Sequence, residues 1–161
     1  MIRNLYNGLV RLLPAAAILV AGACLAGCDG GNGGSGDEAS WAGPPEPAAD
    51  GSVSVEEFAA HQADVEGTWE RSSATAAAEF LRLYESESSG LVLDRTAPGE
   101  GGGTETVVVT LDGLFDDSVR AERWTLDFEP DGETYVLTAA RWAQRCQPGR
   151  GHQAFTPEPC I

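Results

Sequence analysis

The sequence contains no lysine: its ten basic residues are all arginine, and they stand against 25 acidic residues. The formal net charge at pH 7 is therefore −15. Proteins that bind nucleic acid neutralise phosphates with clustered cations, so this charge balance argues against a nucleic-acid partner. The composition predicts instead a well-solvated acidic surface.

Signatures of catalysis are also lacking. There are only two histidines, and neither a Gly-x-Ser-x-Gly nor a His-Glu-x-x-His pattern occurs. The glycine-rich stretch at 99–103 carries no lysine and lacks the strand-to-helix context of a phosphate-binding loop. We therefore expect a protein that is not an enzyme, with no catalytic residues, no metal and no cofactor.

Long hydrophobic runs are few. The apolar stretch Leu12–Ala26 is uncharged and interrupted by Pro14, and it is shorter than the roughly 20 residues that a spanning helix needs. Arg3 and Arg11 precede it, so residues 1–27 have the composition of a secretory signal that is removed. Its removal would leave eight arginines against 25 acidic residues, a formal charge of −17.

This signal ends in Leu25-Ala26-Gly27-Cys28, which resembles the lipobox of bacterial lipoproteins. The resemblance implies cleavage before Cys28, a diacylglyceryl group on its thiol, and further acylation of the new amino terminus by chains such as palmitate. Each buried CH₂ contributes about 0.8 kcal/mol, so two or three chains anchor a protein stably. The alternative is an ordinary signal with a cysteine at the junction.

The lipobox resemblance also implies a location. The chain would be lipid-anchored to the cell membrane through Cys28, facing the periplasm or the cell exterior within the cell envelope. Asp29 follows the anchor cysteine, and an aspartate there resembles the signal that retains enterobacterial lipoproteins in the inner membrane.

Residues 28–51 are dominated by glycine, proline, alanine and acidic residues. Such a segment cannot bury enough apolar surface to fold, so we expect a flexible tether. Trp41 is its one large apolar residue, and two locations are possible for it: insertion into the membrane interface or packing on the folded domain. The globular domain is expected at residues 52–161.

Two helices are predicted at the start of the domain. Ser54 and Glu57 have the spacing of a capping box, which predicts a short helix after them. A second helix is predicted from Thr75 to about Glu87. Its apolar residues recur at the spacing of one helical face; they are Ala77, Phe80, Leu81 and Tyr84.

Strands follow the helices. Short strands are predicted at 91–93 and 106–111, and two longer ones flank a turn at 129–133 that contains Pro-Asp-Gly. The expected register pairs Phe128 with Tyr135, Leu126 with Leu137, and Trp124 with Ala139. The predicted fold is α+β: one or two N-terminal helices packed on a small antiparallel β-meander.

In element order this arrangement resembles the NTF2-type folds. The C-terminal region resembles that of small uncharacterised secreted bacterial proteins, and no activity comes with that resemblance.

The four cysteines divide by position. Cys24 lies in the signal and Cys28 at the anchor, which leaves Cys146 and Cys160 to form a disulfide in an oxidising compartment. The bridge would close a loop of about 15 residues and stabilise the domain by about 3 kcal/mol. Zinc binding by this pair with His152 is the alternative, but the spacing fits no common zinc pattern.

Within this loop, Arg150 and His152 form a candidate binding site. Arg150 could bind a carboxylate or phosphate, and histidine titrates near neutral pH; the alternative is a tight turn whose Arg and His are simply solvated.

Three functions remain open. The first is a non-catalytic interaction or accessory domain for an unidentified envelope protein. The second is a small-ligand module with a cavity between helix and sheet, lined by Trp124, Tyr135 and Trp142. The third is an enzyme that joins His152 and Arg150 to a carboxylate.

Overall fold

The computed structural model describes residues 41–65, 67–96, 98 and 103–161. The expected signal and the lipidation site at Cys28 lie outside these residues. Among the helices that are described, none has both the length and the apolar character needed to cross a bilayer.

The domain is built on a five-stranded antiparallel sheet. Its strands are β1 (Ser52–Val53), β2 (Ser88–Thr96), β3 (Glu105–Leu114), β4 (Val119–Asp131) and β5 (Thr134–Cys146). They lie in the order β1-β5-β4-β3-β2, so β2 to β5 form a meander and β1 adds to the far edge of β5. The α+β class and the antiparallel meander are confirmed.

The two helices are α1 (Glu56–Asp64) and α2 (Ser73–Phe80), with 3₁₀ turns at Thr68–Arg71 and Leu83–Glu85. Phe58 of α1 and Phe80 of α2 meet edge to face, with ring centres 5.1 Å apart. Both rings are fully buried, and burial of one such side chain contributes about 1.5–3 kcal/mol. They cover one face of the sheet, whose core residues are Val107, Val109, Trp124, Leu126, Phe128, Leu137 and Ala140.

Trp41 belongs to this core. Its side chain is only 7% exposed, and its ring centre lies 5.0 Å from that of Phe58 and 5.8 Å from that of Phe80. Trp41 therefore packs on the folded domain, which is one of the two locations that the sequence left open. The packed part of the chain begins earlier than the composition-based boundary at residue 52.

The register predicted for the long hairpin is wrong. Phe128 pairs with Leu137, Leu126 with Ala140, and Trp124 with Trp142. The turn is tighter than expected, because Asp131 pairs with Thr134 and leaves only Gly132 and Glu133 between the strands. Gly132 has φ +62°, a conformation that suits glycine in a two-residue hairpin turn.

A β-bulge accounts for the rest of the register difference. The pairing shifts between Asp127 and Phe128, so that β5 carries one extra residue at this point. Leu137 faces the core before the bulge and Ala140 faces it afterwards. Ala139 consequently points away from the core, although the alternation of apolar residues predicted it on the core face.

The helix boundaries also differ from those predicted. Helix α2 ends at Phe80, and Arg82 adopts the left-handed conformation (φ +49°) that interrupts the helical path. Tyr84, expected on the buried face, is 65% exposed. Helix α1 forms without the predicted Ser54–Glu57 capping box, since its N-cap is Val55 and no side chain caps it. Strands β2 and β3 extend beyond the predicted ranges at both ends.

Candidate functional site

The C-terminal loop begins where β5 ends. Cys146, the last and fully buried residue of β5, forms a disulfide with Cys160, and their Cα atoms are 5.5 Å apart. The predicted disulfide is confirmed. The two sulfurs and a ring nitrogen of His152 lie within 4.8 Å of one another. Since both sulfurs are bonded to each other, neither is a thiolate that could bind zinc or act as a nucleophile.

Backbone hydrogen bonds hold this loop against the edge of β5. Gln144 and Thr156 exchange two of them, at 2.8 and 3.0 Å. The Gln144 side chain donates to the carbonyl oxygen of Glu158 at 2.7 Å, and the amide of Ile161 donates to the carbonyl oxygen of Arg150 at 2.8 Å. The loop is thus an ordered part of the domain.

Both ring nitrogens of His152 are occupied. Nδ1 lies 2.9 Å from the carbonyl oxygen of Ala154, and Nε2 lies 2.8 Å from that of Glu158. Only the doubly protonated ring donates to two carbonyls at once. These bonds, led by that to Glu158, raise the pKa of His152. The imidazole therefore stabilises the loop. Because both nitrogens are bonded to carbonyl oxygens, neither is available to a substrate.

Arg150 contributes to the same loop through its backbone. Its side chain is exposed and makes no hydrogen bond or ion pair with the described residues. The two predicted site residues thus have different environments: His152 is turned into the loop, whereas the guanidinium of Arg150 faces solvent.

A further contact that holds the loop on the sheet was not predicted from the sequence. The Phe155 ring packs against the guanidinium groups of Arg123, at 4.0 Å, and Arg145, at 5.1 Å. Arg145 also forms an ion pair with Asp112 at 2.9 Å. Arg123 follows Glu122 and precedes the buried Trp124, so it projects from the sheet face opposite the helices. Phe155 stands in a turn-rich segment without periodicity, which gave no signal for this contact.

Glu122 is a further residue that the sequence did not single out. Its carboxylate lies on the helix-facing side of the sheet, where the indole N–H of Trp124 donates to it at 3.4 Å. Burial raises the pKa of Glu122, while hydrogen bonds from Trp124 and Trp142 oppose that rise. The group is a titratable carboxyl in a largely apolar setting, with neither a nucleophile nor a second carboxyl bonded to it among the described residues.

The aromatic residues proposed to line a cavity pack in the core. Trp124 is buried, and Tyr135 and Trp142 pack against the core cluster while partly buried. An open cleft of about 330 Å³ lies elsewhere on the surface. Its lining consists of Gly67, Thr68, Glu70, Arg71, Glu133 and Thr134.

No family model matches the chain, and no curated protein or solved structure matches it.

Proposed function

We propose that this chain is a lipoprotein of the cell envelope, anchored in the membrane through Cys28, and that its folded domain is a non-catalytic interaction or accessory module. The domain would face the periplasm or the cell exterior, with an envelope protein as partner.

The observation that carries the proposal is the position of Cys28. It follows Leu25-Ala26-Gly27 directly, and these follow a short apolar segment headed by arginines. Acyl chains on a cysteine at this point would hold the chain at the membrane, because two or three buried chains make dissociation unfavourable.

The disulfide supports the expected compartment. Cys146 and Cys160 are bonded, and stable structural disulfides are typical of oxidising compartments outside the cytoplasm. This agrees with export by the segment that precedes Cys28.

The chemistry of the C-terminal loop supports a non-catalytic role. Both cysteines are consumed by the disulfide, and both nitrogens of His152 are bonded to carbonyl oxygens. A general base needs a ring nitrogen within reach of the proton it removes. In this loop the reactive side chains contribute to folding instead.

The anchoring is tested by replacing Cys28 with serine and comparing membrane and soluble fractions of the producing cells. Cys24→Ser is the matched control, since Cys24 lies in the same segment and outside the cleavage position. We expect C28S to lose acylation and processing while C24S is processed and anchored like the wild type. A C28S chain that is still acylated and processed would contradict the proposal.

The accessory role is tested by cross-linking intact cells that produce the native lipoprotein, followed by purification and mass spectrometry. We expect one reproducible envelope protein, lost when the folded domain is deleted and the anchor retained. Saturable chemical turnover by the purified lipoprotein would contradict a non-catalytic role.

A further inference from the structure

The two edges of the sheet differ in how they are covered. Along β5, the side chain of Gln62 accepts from the amide of Leu137 at 3.1 Å and donates to the carbonyl oxygen of Tyr135 at 2.9 Å. Strand β1 then covers residues 140–141. Further along, Thr156 bonds Gln144, and the amide of Cys146 donates to His152. This edge is closed along most of its length.

The opposite edge is formed by β2, Ser88–Thr96, and no other strand of the described chain pairs with its outer side. On its inner side β2 pairs with β3 over almost its whole length. On its outer side no group from the described residues bonds to its backbone N–H and C=O groups. A nine-residue strand with a free row of N–H and C=O groups is a template for pairing with another strand.

Exposed apolar side chains are concentrated at this edge. Leu91 is 48% exposed and Val92 55% exposed, and the two project from opposite faces of β2. Tyr84 lies shortly before the strand, and Phe115 follows Leu114, the partner of Ser88. Of the five large exposed hydrophobic residues in the described part of the chain, two therefore lie in β2 itself, and Tyr84 and Phe115 lie close in sequence to Ser88 and to its partner Leu114.

The sequence of β2 is complementary to itself. Leu91-Val92-Leu93 reads the same in both directions, so an antiparallel pairing centred on Val92 places leucine opposite leucine and valine opposite valine. In that register Gly90 faces Asp94, and Ser89 faces Arg95. No like charges meet, and one Asp and one Arg leave the strand without net charge despite the −15 of the whole chain.

We propose that β2 is the docking edge for a second copy of this chain, and that the two strands pair antiparallel about Val92 into one continuous sheet. The outer backbone groups of β2 would find partners, and the exposed Leu91 and Val92 would be covered on their respective faces. Cross-strand pairs of this kind are the unit of sheet stabilisation. The proposal goes beyond the accessory role above and does not depend on Cys28.

The register is tested with single cysteines in the full-length chain, produced in its own oxidising compartment. In Val92→Cys the two new cysteines face each other, and we expect a disulfide-linked dimer on a non-reducing gel. Asp94→Cys is the matched control on the same face of the same strand. Its two copies would lie about 13 Å apart along the strands, beyond the roughly 7 Å that a disulfide can bridge.

Mixed chains sharpen this test. Gly90→Cys is accommodated, since an added Cβ would meet no atom closer than 3.8 Å. Co-produced Gly90→Cys and Asp94→Cys chains should link to each other, and neither should link to itself. An unlinked Val92→Cys, or equal linking by Asp94→Cys alone, would overturn the proposal.

Assembly without new cysteines is measured by light scattering on the detergent-solubilised chain. We expect the wild type to be a dimer. Val92→Arg places two cations at the centre of the pairing, so its protein mass should be half that of the wild type. Arg141→Ala, a change on β5 at the covered edge, is the control and should retain the dimer. A monomeric wild type would overturn the proposal, as would a dimer that Val92→Arg leaves intact, or pairing of β2 with a different envelope protein in place of a second copy.

Discussion

The indole N–H of Trp41 donates a hydrogen bond of 2.8 Å to the carbonyl oxygen of Phe80. Phe80 is the last residue of α2, where carbonyl groups lack partners within the helix. Trp41 thus satisfies a helix terminus and fills the core with one side chain. A residue in a glycine- and proline-rich segment thereby secures the packing of α2 on the sheet.

Trp41→Ala is expected to lower the free energy of unfolding by about 3–5 kcal/mol, as for other large aromatic residues removed from a core. Trp41→Phe keeps an aromatic ring but loses the donor to Phe80, so it should fall between Ala and the wild type. Urea denaturation followed by circular dichroism measures both. Equal stability of wild type and Trp41→Ala would show that the segment does not support the domain.

The contact between Phe155 and Arg123 is expected to hold the C-terminal loop on the outer sheet face. Phe155→Leu should lower stability by about 0.5–1 kcal/mol, the range for a cation–π contact at an exposed site. Arg123→Gln should cost a similar amount, and the double mutant should cost less than the two single changes combined. Urea denaturation of the four proteins completes the cycle, and strict additivity would argue against the contact.

His152 predicts a pH dependence of loop stability. Its pKa is raised in the folded state, principally by the bond to the Glu158 carbonyl. The stabilisation is therefore complete below the pKa of the unfolded chain, and it is lost as pH rises through the higher folded value. We expect urea midpoints to fall across this range in the wild type and to fall less in His152→Gln.

The protonation of His152 also depends on the charges near its ring. Among the described side chains of the loop, the charged group that bears on His152 is Glu158, which favours the charged ring. Following the His152 ring protons by NMR reports its titration directly. A pKa at or below that of an unfolded histidine would contradict the double hydrogen bond.

We predict that removing the negative charge of Glu122 stabilises the folded domain. Burial raises its pKa, so the charged form is disfavoured in the folded state at neutral pH. Glu122→Gln removes that charge while retaining the acceptor for the Trp124 indole. We expect a higher urea midpoint at pH 7 and a smaller difference at pH 4, where the wild-type carboxyl becomes protonated. A larger gain at pH 4 would contradict this account.

The sequence predicted the features that depend on strong local patterns. The alternation of Trp124, Leu126 and Phe128 predicted a strand with one buried face, and these three residues are buried on the same face. The two cysteines left for the oxidising compartment predicted the disulfide, which is formed.

Features that depend on tertiary contacts could not be predicted. Ala139 and Ala140 are identical in side chain, so no residue pattern indicates the bulge that turns Ala140 into the core. Trp41 lacks periodic neighbours, and its position becomes clear only from Phe58 and Phe80. Similarly, the carbonyls that bond His152 are backbone groups, whose direction no residue pattern records.

The most direct test of the proposed lipoprotein is the intact mass of the native chain, extracted from its own membranes in mild detergent. We expect a chain that begins at Cys28, carries the mass of a diacylglyceryl group and its acyl chains, and lacks two hydrogens because of the Cys146–Cys160 bond. A chain that begins elsewhere, or that carries no lipid on Cys28, would contradict it.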